Sequence, residues 1–347
     1  IWAIREEKIN YTHSLGMKPL REAVARYYTS RFGVTVDFRN VVITAGTSPA
    51  LLLAVYVLLE YSGNRRILTA NPGYACYPNF ITFLSGEAVN YDLLPQNRFR
   101  IDLTQTASLG REGAAAILVN SPSNPLGTVF TGEEMAGLAS LGIPVISDEI
   151  YQGMVYEGKQ WDTMLAYTDN AIILNGFSKL YAMTGWRLGY LIVPDRYIDL
   201  THKLEQNLFI SANTIAQYAA ITALTDPSVD REVSRMIDEY GERREFALEL
   251  LSVYGLKAAC EPAGAYYLIL DLRDYTSDSL SFSYELLHDA KVAVTPGIDF
   301  GSNLEGHVRL SYGVSPVIFK EGIERISRYL DKRDKTAPHR TGRRVGR

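Results

Sequence analysis

The sequence is poor in the residues and runs that mark several classes of protein. Only two cysteines, Cys76 and Cys260, occur in 347 residues. This excludes a disulfide framework and favours a reducing compartment, which we take to be the cytoplasm. The longest apolar runs, such as residues 50–59, fall far short of the about 20 residues that a membrane-spanning helix needs. The net charge is −4, from 35 basic and 39 acidic residues, so the composition gives no chain-wide sign of nucleic-acid binding.

Several familiar site motifs are also missing from the sequence. Neither the dinucleotide-binding pattern G-x-G-x-x-G nor the nucleotide-binding pattern G-x-x-x-x-G-K-[ST] occurs. Their absence argues against a dinucleotide cofactor and against a nucleoside triphosphatase. The five histidines and two cysteines show no metal-ligand spacing, so we expect no metal site. The G-x-S-x-G pattern of hydrolases is absent as well.

The start of the sequence carries no recognisable targeting signal. It begins at Ile1 with residues of mixed charge and has no apolar signal segment. It also lacks an initiator methionine, so we expect it to begin inside a longer sequence.

Short apolar runs alternate with helical patterns over the first two thirds of the chain. Residues 18–31 carry an amphipathic stripe, and Thr131 with Glu134 forms the capping-box pattern of a helix start. Strand-like runs lie at 41–44, 66–70, 115–120, 144–147, 171–175 and 189–193. Such alternation predicts an α/β domain with a mainly parallel central sheet.

The pattern changes near residue 230. We therefore predict a large cofactor-binding domain over residues 1–230 and a smaller C-terminal α+β domain over residues 231–330. The last segment, 331–347, has seven basic and two acidic residues and no apolar periodicity. We expect it to be a disordered basic tail.

Polar side chains follow nearly every predicted strand, and ligands of open parallel sheets bind beyond the carboxyl ends of the strands. Each of these residues alone has an ordinary structural explanation, such as a helix cap, a packed ring or a surface charge. The residues are Gly46, Thr47 and Ser48 at a helix start, then Tyr74, Asn124, Asp148, Tyr151, Ser178, Lys179 and Arg187. Together they supply a phosphate cradle, an aromatic ring, an acid and a lysine. Pyridoxal 5′-phosphate needs this combination, because it binds through a phosphate, a stacked pyridinium ring and a lysine Schiff base.

At this point the sequence resembles a known family, the class I/II (fold-type I) pyridoxal-phosphate-dependent aminotransferases. The resemblance covers about residues 11–330 and rests on motifs that occur in order. They are YTHSLG from Tyr11, NPGYACYP from Asn71, NSPSNPLG from Asn120, SDEIY from Ser147, FSKLYAMTGWRLGY from Phe177 and VRLSY from Val308. The implied fold is a three-layer fold-type I transferase with a mainly parallel sheet and a smaller C-terminal domain.

The resemblance also implies roles for individual residues. Lys179 would form the internal aldimine with the cofactor and then move a proton between the substrate and the cofactor. Asp148 would keep the pyridine nitrogen protonated, and Tyr151 would bond the ring oxygen together with Asn124. Arg309 would hold the substrate carboxylate as a bidentate fork, helped by Asn124.

The remaining implied roles concern the ring face, the phosphate and the partner subunit. Tyr74 would stack on the ring. The phosphate ligands would be Gly46, Thr47, Ser48, Ser178 and Arg187. Tyr11 would reach the phosphate of the neighbouring subunit, which implies a homodimer.

Two departures from the family pattern matter. Many relatives have Ser where this chain has Gly176, so one phosphate hydroxyl is missing. Relatives also carry a longer segment before the Tyr11 motif that closes over the substrate, and we expect that segment to be missing here. Because that segment largely determines which substrate side chain is accepted, the choice of substrate stays open.

Three hypotheses about the function follow from these patterns. The first is transamination between an L-amino acid and a 2-oxo acid by ping-pong half-reactions, with a broad or neutral-to-acidic donor and 2-oxoglutarate as acceptor. The second is another fold-type I enzyme that uses the same lysine, such as a C–S β-lyase. The third is a non-enzymatic effector-sensing domain with an aminotransferase-like fold. The expected partners are small-molecule substrates and a second copy of the chain, without nucleic acid or membrane.

Overall fold

Seven short apolar runs form one sheet at the centre of the protein. The computed structural model describes the backbone of residues 1–336 and the side chains up to residue 333. The strands are β1 (Val41–Thr44), β2 (Arg66–Asn71), β3 (Glu87–Asp92), β4 (Ala116–Asn120), β5 (Val145–Asp148), β6 (Ala171–Gly176) and β7 (Gly189–Ile192). Their order across the sheet is β1-β7-β6-β5-β4-β2-β3.

The sheet is mainly parallel, as the sequence predicts. The strands β6, β5, β4, β2 and β3 pair in parallel, while β7 runs antiparallel to both of its neighbours, β1 and β6. Successive residues of the central strands are buried on both faces, which is typical of sheets covered by helices on either side. Polar side chains therefore have room mainly beyond the strand ends.

Helices cover both faces of this sheet. The helices of the first part are α1 (Trp2–Arg5), α2 (Lys18–Phe32), α3 (Thr47–Ser62), α4 (Cys76–Phe83), α5 (Leu103–Arg111), α6 (Gly132–Ser140), α7 (Asp195–Leu208) and α8 (Thr214–Thr225). On one face Val42, Ile146 and Leu174 pack with the apolar side of α3. On the other face Ile43 and Ile173 pack with residues of α2 and α8. This arrangement of sheet and helices is the α/β architecture expected from the sequence.

A second, smaller sheet follows a long helix. Helix α9 (Pro227–Val253) leads into β8 (Lys257–Ala258), β9 (Tyr267–Asp271), α10 (Ser279–Glu285), β10 (Thr295–Pro296), β11 (His307–Ser311) and α11 (Pro316–Thr336). The four strands are antiparallel in the order β10-β11-β9-β8. Leu268 and Val308 of this sheet pack with the apolar faces of α9 and α11 in one core.

The expected division into residues 1–230 and 231–330 stays a prediction. It separates the seven-stranded sheet from the four-stranded sheet, and residue 230 lies within the first turn of α9. Within the described residues no helix is both long and apolar enough to cross a bilayer.

The expectation of a disordered tail from residue 331 is wrong for its first part. Helix α11 continues to Thr336, because Tyr329 and Arg333 both donate hydrogen bonds to Glu285, next to the end of α10. These contacts hold the last turns against the end of α10, whereas the charge count and the lack of apolar periodicity suggested a disordered tail. The rest of the segment, residues 337–347, lies outside the described part of the chain.

Helix α7 buries a carboxyl group without a partner. Glu205 is 0% exposed, and neither of its carboxylate oxygens has a hydrogen-bond partner among the described residues. Burial penalises the charged form and raises the pKa of Glu205 to about 8, from an ordinary value of 4.5. Between pH 4.5 and 8, Glu205 therefore keeps its proton in the folded state and loses it in the unfolded chain.

We predict that this proton makes the protein less stable as the pH rises from 4.5 to 8. Each pH unit in this window costs up to about 1.4 kcal/mol, since the folded state binds the proton more tightly. Glu205→Gln should flatten this dependence, measured as urea unfolding across the window. Asp199→Asn, at an exposed position of the same helix, should leave the slope unchanged; equal slopes in wild type and Glu205→Gln would contradict the prediction.

Candidate active site

The carboxyl ends of the central strands gather most of the residues singled out in the sequence. Strands β4, β5 and β6 lie side by side, with Asn120 opposite Asp148 and Asp148 opposite Leu174. Asn124 follows β4, Tyr151 follows β5, and Ser178 and Lys179 follow β6. Because parallel strands end at the same edge, these side chains converge there.

A glycine-lined cradle forms where β1 leads into α3. Gly46, the N-cap of α3, has φ +98° and ψ 175°, and no side chain caps the helix. The first N–H groups of the helix, at Thr47 and Ser48, are thus left without a side-chain acceptor. A Cβ on Gly46 would lie 2.7 Å from Nη2 of Arg187, so the guanidinium lies directly against this turn. Backbone donors and a cation at a helix N-terminus suit a phosphate.

Close packing explains the glycine at position 176. A Cβ there would lie 2.9 Å from Cα of Gly189 on the neighbouring strand, and a Cβ on Gly189 would lie 3.0 Å from the backbone nitrogen of Thr47. The strand ends therefore press against the start of α3 without room for side chains. Position 176 therefore offers no hydroxyl, but Ser178 lies buried two residues further on.

Asp148 is the buried acid of the site. Tyr77 donates its hydroxyl to Oδ2 at 2.7 Å, and the backbone N–H of Ile150 donates to Oδ1 at 3.1 Å. Burial raises the pKa of Asp148, while the Tyr77 hydrogen bond, the Ile150 N–H and the charge of Lys179 lower it. The acid is therefore desolvated but supported by two donors and a cation.

Sequence reasoning missed Tyr77, although the signal was present. Tyr74 lies two residues before α4 and Tyr77 lies in its first turn, and the N–H of Tyr77 donates to the carbonyl of Tyr74 at 3.0 Å. Their centroids are 5.4 Å apart and nearly perpendicular. Tyr74, the ring expected to stack on a cofactor, is 36% exposed and thus still accessible to a ligand.

Aromatic rings surround the amine of Lys179. Nζ donates to the hydroxyl of Tyr266 at 2.9 Å and lies 5.5 Å from the ring centroids of both Tyr151 and Tyr266. The hydroxyl of Tyr151 lies 3.0 Å from that of Tyr267, and burial raises the pKa of Tyr151 well above its ordinary value. Tyr151 thus stays a neutral phenol that donates or accepts a hydrogen bond.

Arg309 reaches the site from the second sheet. Its Nη1 donates to Oδ1 of Asn124 at 2.7 Å, and its Nη2 donates to Oγ1 of Thr295 at 3.3 Å. The guanidinium carbon lies 4.2 Å from the ring centroid of Tyr267 and 4.8 Å from that of Phe300. A planar cation in contact with two rings presents a fork that suits a carboxylate.

The structure brings most of the predicted residues into one connected set. Contacts run from Tyr74 through Tyr77 to Asp148 and from Lys179 through Tyr151 and Tyr267 to Arg309 and Asn124. The cradle of Gly46 and Arg187 adjoins it through the end of β6. Tyr11 lies apart: it is 81% exposed and makes no hydrogen bond or ring contact within the described chain. No group of metal-ligating side chains occurs in the described residues.

Comparisons with known proteins agree on the family. The profile of the family described as aminotransferase class I and II matches residues 4–326. A (5-formylfuran-3-yl)methyl phosphate transaminase of Methanocaldococcus jannaschii is 40% identical over 96% of this chain and 86% of its own length. A valine–pyruvate aminotransferase of Mycobacterium tuberculosis is 37% identical over 94% of this chain and 85% of its own. An aspartate aminotransferase structure from Thermus thermophilus with maleate superposes with a TM-score of 0.89 and 33% identity, covering 94% of this chain and 85% of that one.

We predict that Tyr77→Phe raises the pKa of Asp148. The substitution removes the hydroxyl that stabilises the carboxylate, and a hydrogen bond to a charged group is worth about one pKa unit or more. An infrared titration of the protonated carboxyl band, assigned with Asp148→Asn, measures the shift. Tyr91→Phe is the control, because that buried hydroxyl donates to the carbonyl of Leu118 instead; a shift of equal size there would contradict the prediction.

A further prediction concerns the phosphate cradle at Gly46. Gly46→Ala places a methyl against Arg187 and should weaken binding of phosphate-bearing ligands about tenfold or more, measured by calorimetry with pyridoxal 5′-phosphate. Gly63→Ala, at the other end of α3, is the control. Its φ is also positive, at +63°, but no atom lies within 4 Å of the added methyl. It should lower stability without changing affinity; equal losses of affinity in the two variants would show that Arg187 is not involved.

Proposed function

The chain belongs to the class I and II aminotransferases, and from this premise we propose that it transfers an amino group between an L-amino acid and a 2-oxo acid with pyridoxal 5′-phosphate as cofactor. The observation that carries the proposal is the convergence of Asp148, Lys179 and Arg309 at one edge of the sheet, beside the cradle of Gly46 and Arg187.

The residues present fit this cofactor. Thr47, Ser48, Ser178 and Arg187 would hold its phosphate together with the turn at Gly46, where a Cβ would fill the space. Asp148 would hold the proton on the ring nitrogen, Tyr74 would cover the ring, and Tyr151 and Asn124 would bond the ring oxygen. When bound, the cofactor supplies an aldehyde that takes up the amino group and a ring that withdraws electrons from the α-carbon.

The protein's own groups then have separate tasks. Arg309 would bind the substrate α-carboxylate in place of its present bond to Asn124, since the fork is already in contact with the rings of Tyr267 and Phe300. Lys179 Nζ would take the proton from the substrate α-carbon and later return one, as general base and general acid. The rings of Tyr151 and Tyr266, 5.5 Å from this amine, would limit the access of water to it.

The second substrate would use the same site in a second half-reaction, so we propose ping-pong kinetics. Both an amino acid and a 2-oxo acid carry a carboxylate next to the reacting carbon, and Arg309 suits both. We propose 2-oxoglutarate as acceptor. One relative, the valine–pyruvate aminotransferase, names pyruvate instead.

A homodimer is part of the proposal. Tyr11 and the nearby Trp2, Ile4 and Ile9 are large and exposed, which suits a surface that a second copy covers. Tyr11 would then reach the phosphate of the neighbouring site.

The free thiols Cys76 and Cys260 suit a reducing compartment, and we propose the cytoplasm.

The test is an absorbance spectrum of the cofactor-loaded protein with a panel of amino acids and no acceptor. We expect the yellow form to convert to the aminated form with some donors and to return on addition of 2-oxoglutarate or pyruvate. Lys179→Arg should abolish the conversion, whereas Lys203→Arg, at an exposed lysine, should not. Release of pyruvate or ammonia without an acceptor would favour a lyase, and the absence of any yellow form would contradict the proposal.

A further inference from the structure

The amine of Lys179 has one hydrogen-bond partner whose role the mechanism above does not use. Nζ donates to the hydroxyl of Tyr266 at 2.9 Å, and within the described residues no salt bridge includes Lys179. The charge of Lys179 lowers the pKa of Asp148, but the two groups form no ion pair. The phenol of Tyr266 is therefore the polar group that sets where this amine lies.

Tyr266 is itself held firmly. Its ring stacks on Tyr240 of α9, with centroids 5.7 Å apart and planes at 25°, and meets Tyr151 edge-on at 5.7 Å. Its backbone carbonyl accepts the N–H of Tyr312 at 3.1 Å. A ring restrained on both sides and through its backbone has little freedom to move its hydroxyl.

We propose that Tyr266 is a positioning residue for Lys179: its hydroxyl accepts a hydrogen bond from the amine and keeps the free amine at the reaction site. The inference rests on the proposed function for its catalytic meaning. The contact itself is independent of any cofactor or substrate.

The physical consequence concerns the proton that Lys179 carries. An ammonium group in an aromatic pocket loses solvation, and a phenol oxygen at 2.9 Å replaces part of it. The same hydroxyl is able to donate to the amine once the amine has given up its proton. The amine therefore keeps one partner in both protonation states and is not drawn away to other acceptors.

The position of Tyr266 also ties the lysine to the second sheet. Tyr266 directly precedes β9, and Tyr240 belongs to α9, which packs with that sheet. Arg309, the proposed carboxylate-binding group, lies on β11 beside β9. The amine and the carboxylate fork are thus placed by the same pair of strands, so that their separation is set by a rigid element.

The test uses the full chain without cofactor. Reductive methylation of Lys179 is followed by mass spectrometry as a function of pH, since only the neutral amine reacts. Tyr266→Phe keeps the stacked ring and removes the hydroxyl. We expect the pH of half-maximal reaction at Lys179 to fall by about one unit, because the charged ammonium loses a stronger hydrogen bond than the neutral amine does.

Tyr240→Phe is the matched control. It removes a hydroxyl from the other ring of the same stack, and that hydroxyl makes no hydrogen bond within the described residues. Its reaction profile at Lys179 should coincide with that of wild type. An unchanged or higher pH of half-maximal reaction in Tyr266→Phe, or an equal fall in Tyr240→Phe, would overturn the proposal.

A second measurement uses the cofactor-loaded enzyme. Tyr266→Phe should lower kcat with little change in KM for the amino acid, and the acidic limb of the kcat profile should move by the same amount as the methylation midpoint. A change in KM alone would overturn the proposal, since it would place Tyr266 in substrate binding. If the protein fails as an aminotransferase, the methylation result still decides the role of Tyr266, so the two failures are distinguishable.

Discussion

The parallel register of β4, β5 and β6 is the constraint on which the site depends. These strands are buried on both faces, so their backbones hydrogen-bond to one another and leave side-chain chemistry to their ends. The register sets Asn120 beside Asp148 and brings the turn with Lys179 next to both. A slip of one residue would turn Asp148 from the site into the opposite core.

Charged groups at this edge of the sheet lose hydration on burial, and hydrogen bonds from the protein replace part of it. Asp148 loses hydration, which raises its pKa, but the hydroxyl of Tyr77 and the N–H of Ile150 replace part of that hydration and lower the pKa again. The guanidinium of Arg309 contacts the rings of Tyr267 and Phe300 and donates to oxygens of Asn124 and Thr295. Glu205 lacks such support, and its raised pKa shows what burial does to an unassisted acid.

Much of the fold was accessible from sequence periodicity. The run 41–44 is β1 residue for residue, and the capping box of Thr131 and Glu134 opens α6 as predicted. Strand β3 was missed because it is an edge strand that buries only one of its six residues, and α5 because it fully buries only Thr106. The tail was misjudged at its start because contacts with Glu285, distant in sequence, extend α11.

Sequence alone determined the family, the α/β class and the strand ends at which polar residues cluster, because these depend on local periodicity and on residues close together in the chain. Tertiary structure decided which side chains meet. The bonds from Tyr77 to Asp148, from Lys179 to Tyr266 and from Arg309 to Asn124 span 71, 87 and 185 residues. No local pattern encodes such pairs. The first joins α4 to the end of β5, and the other two arise where residues of the small sheet, or next to it, meet the edge of the large one.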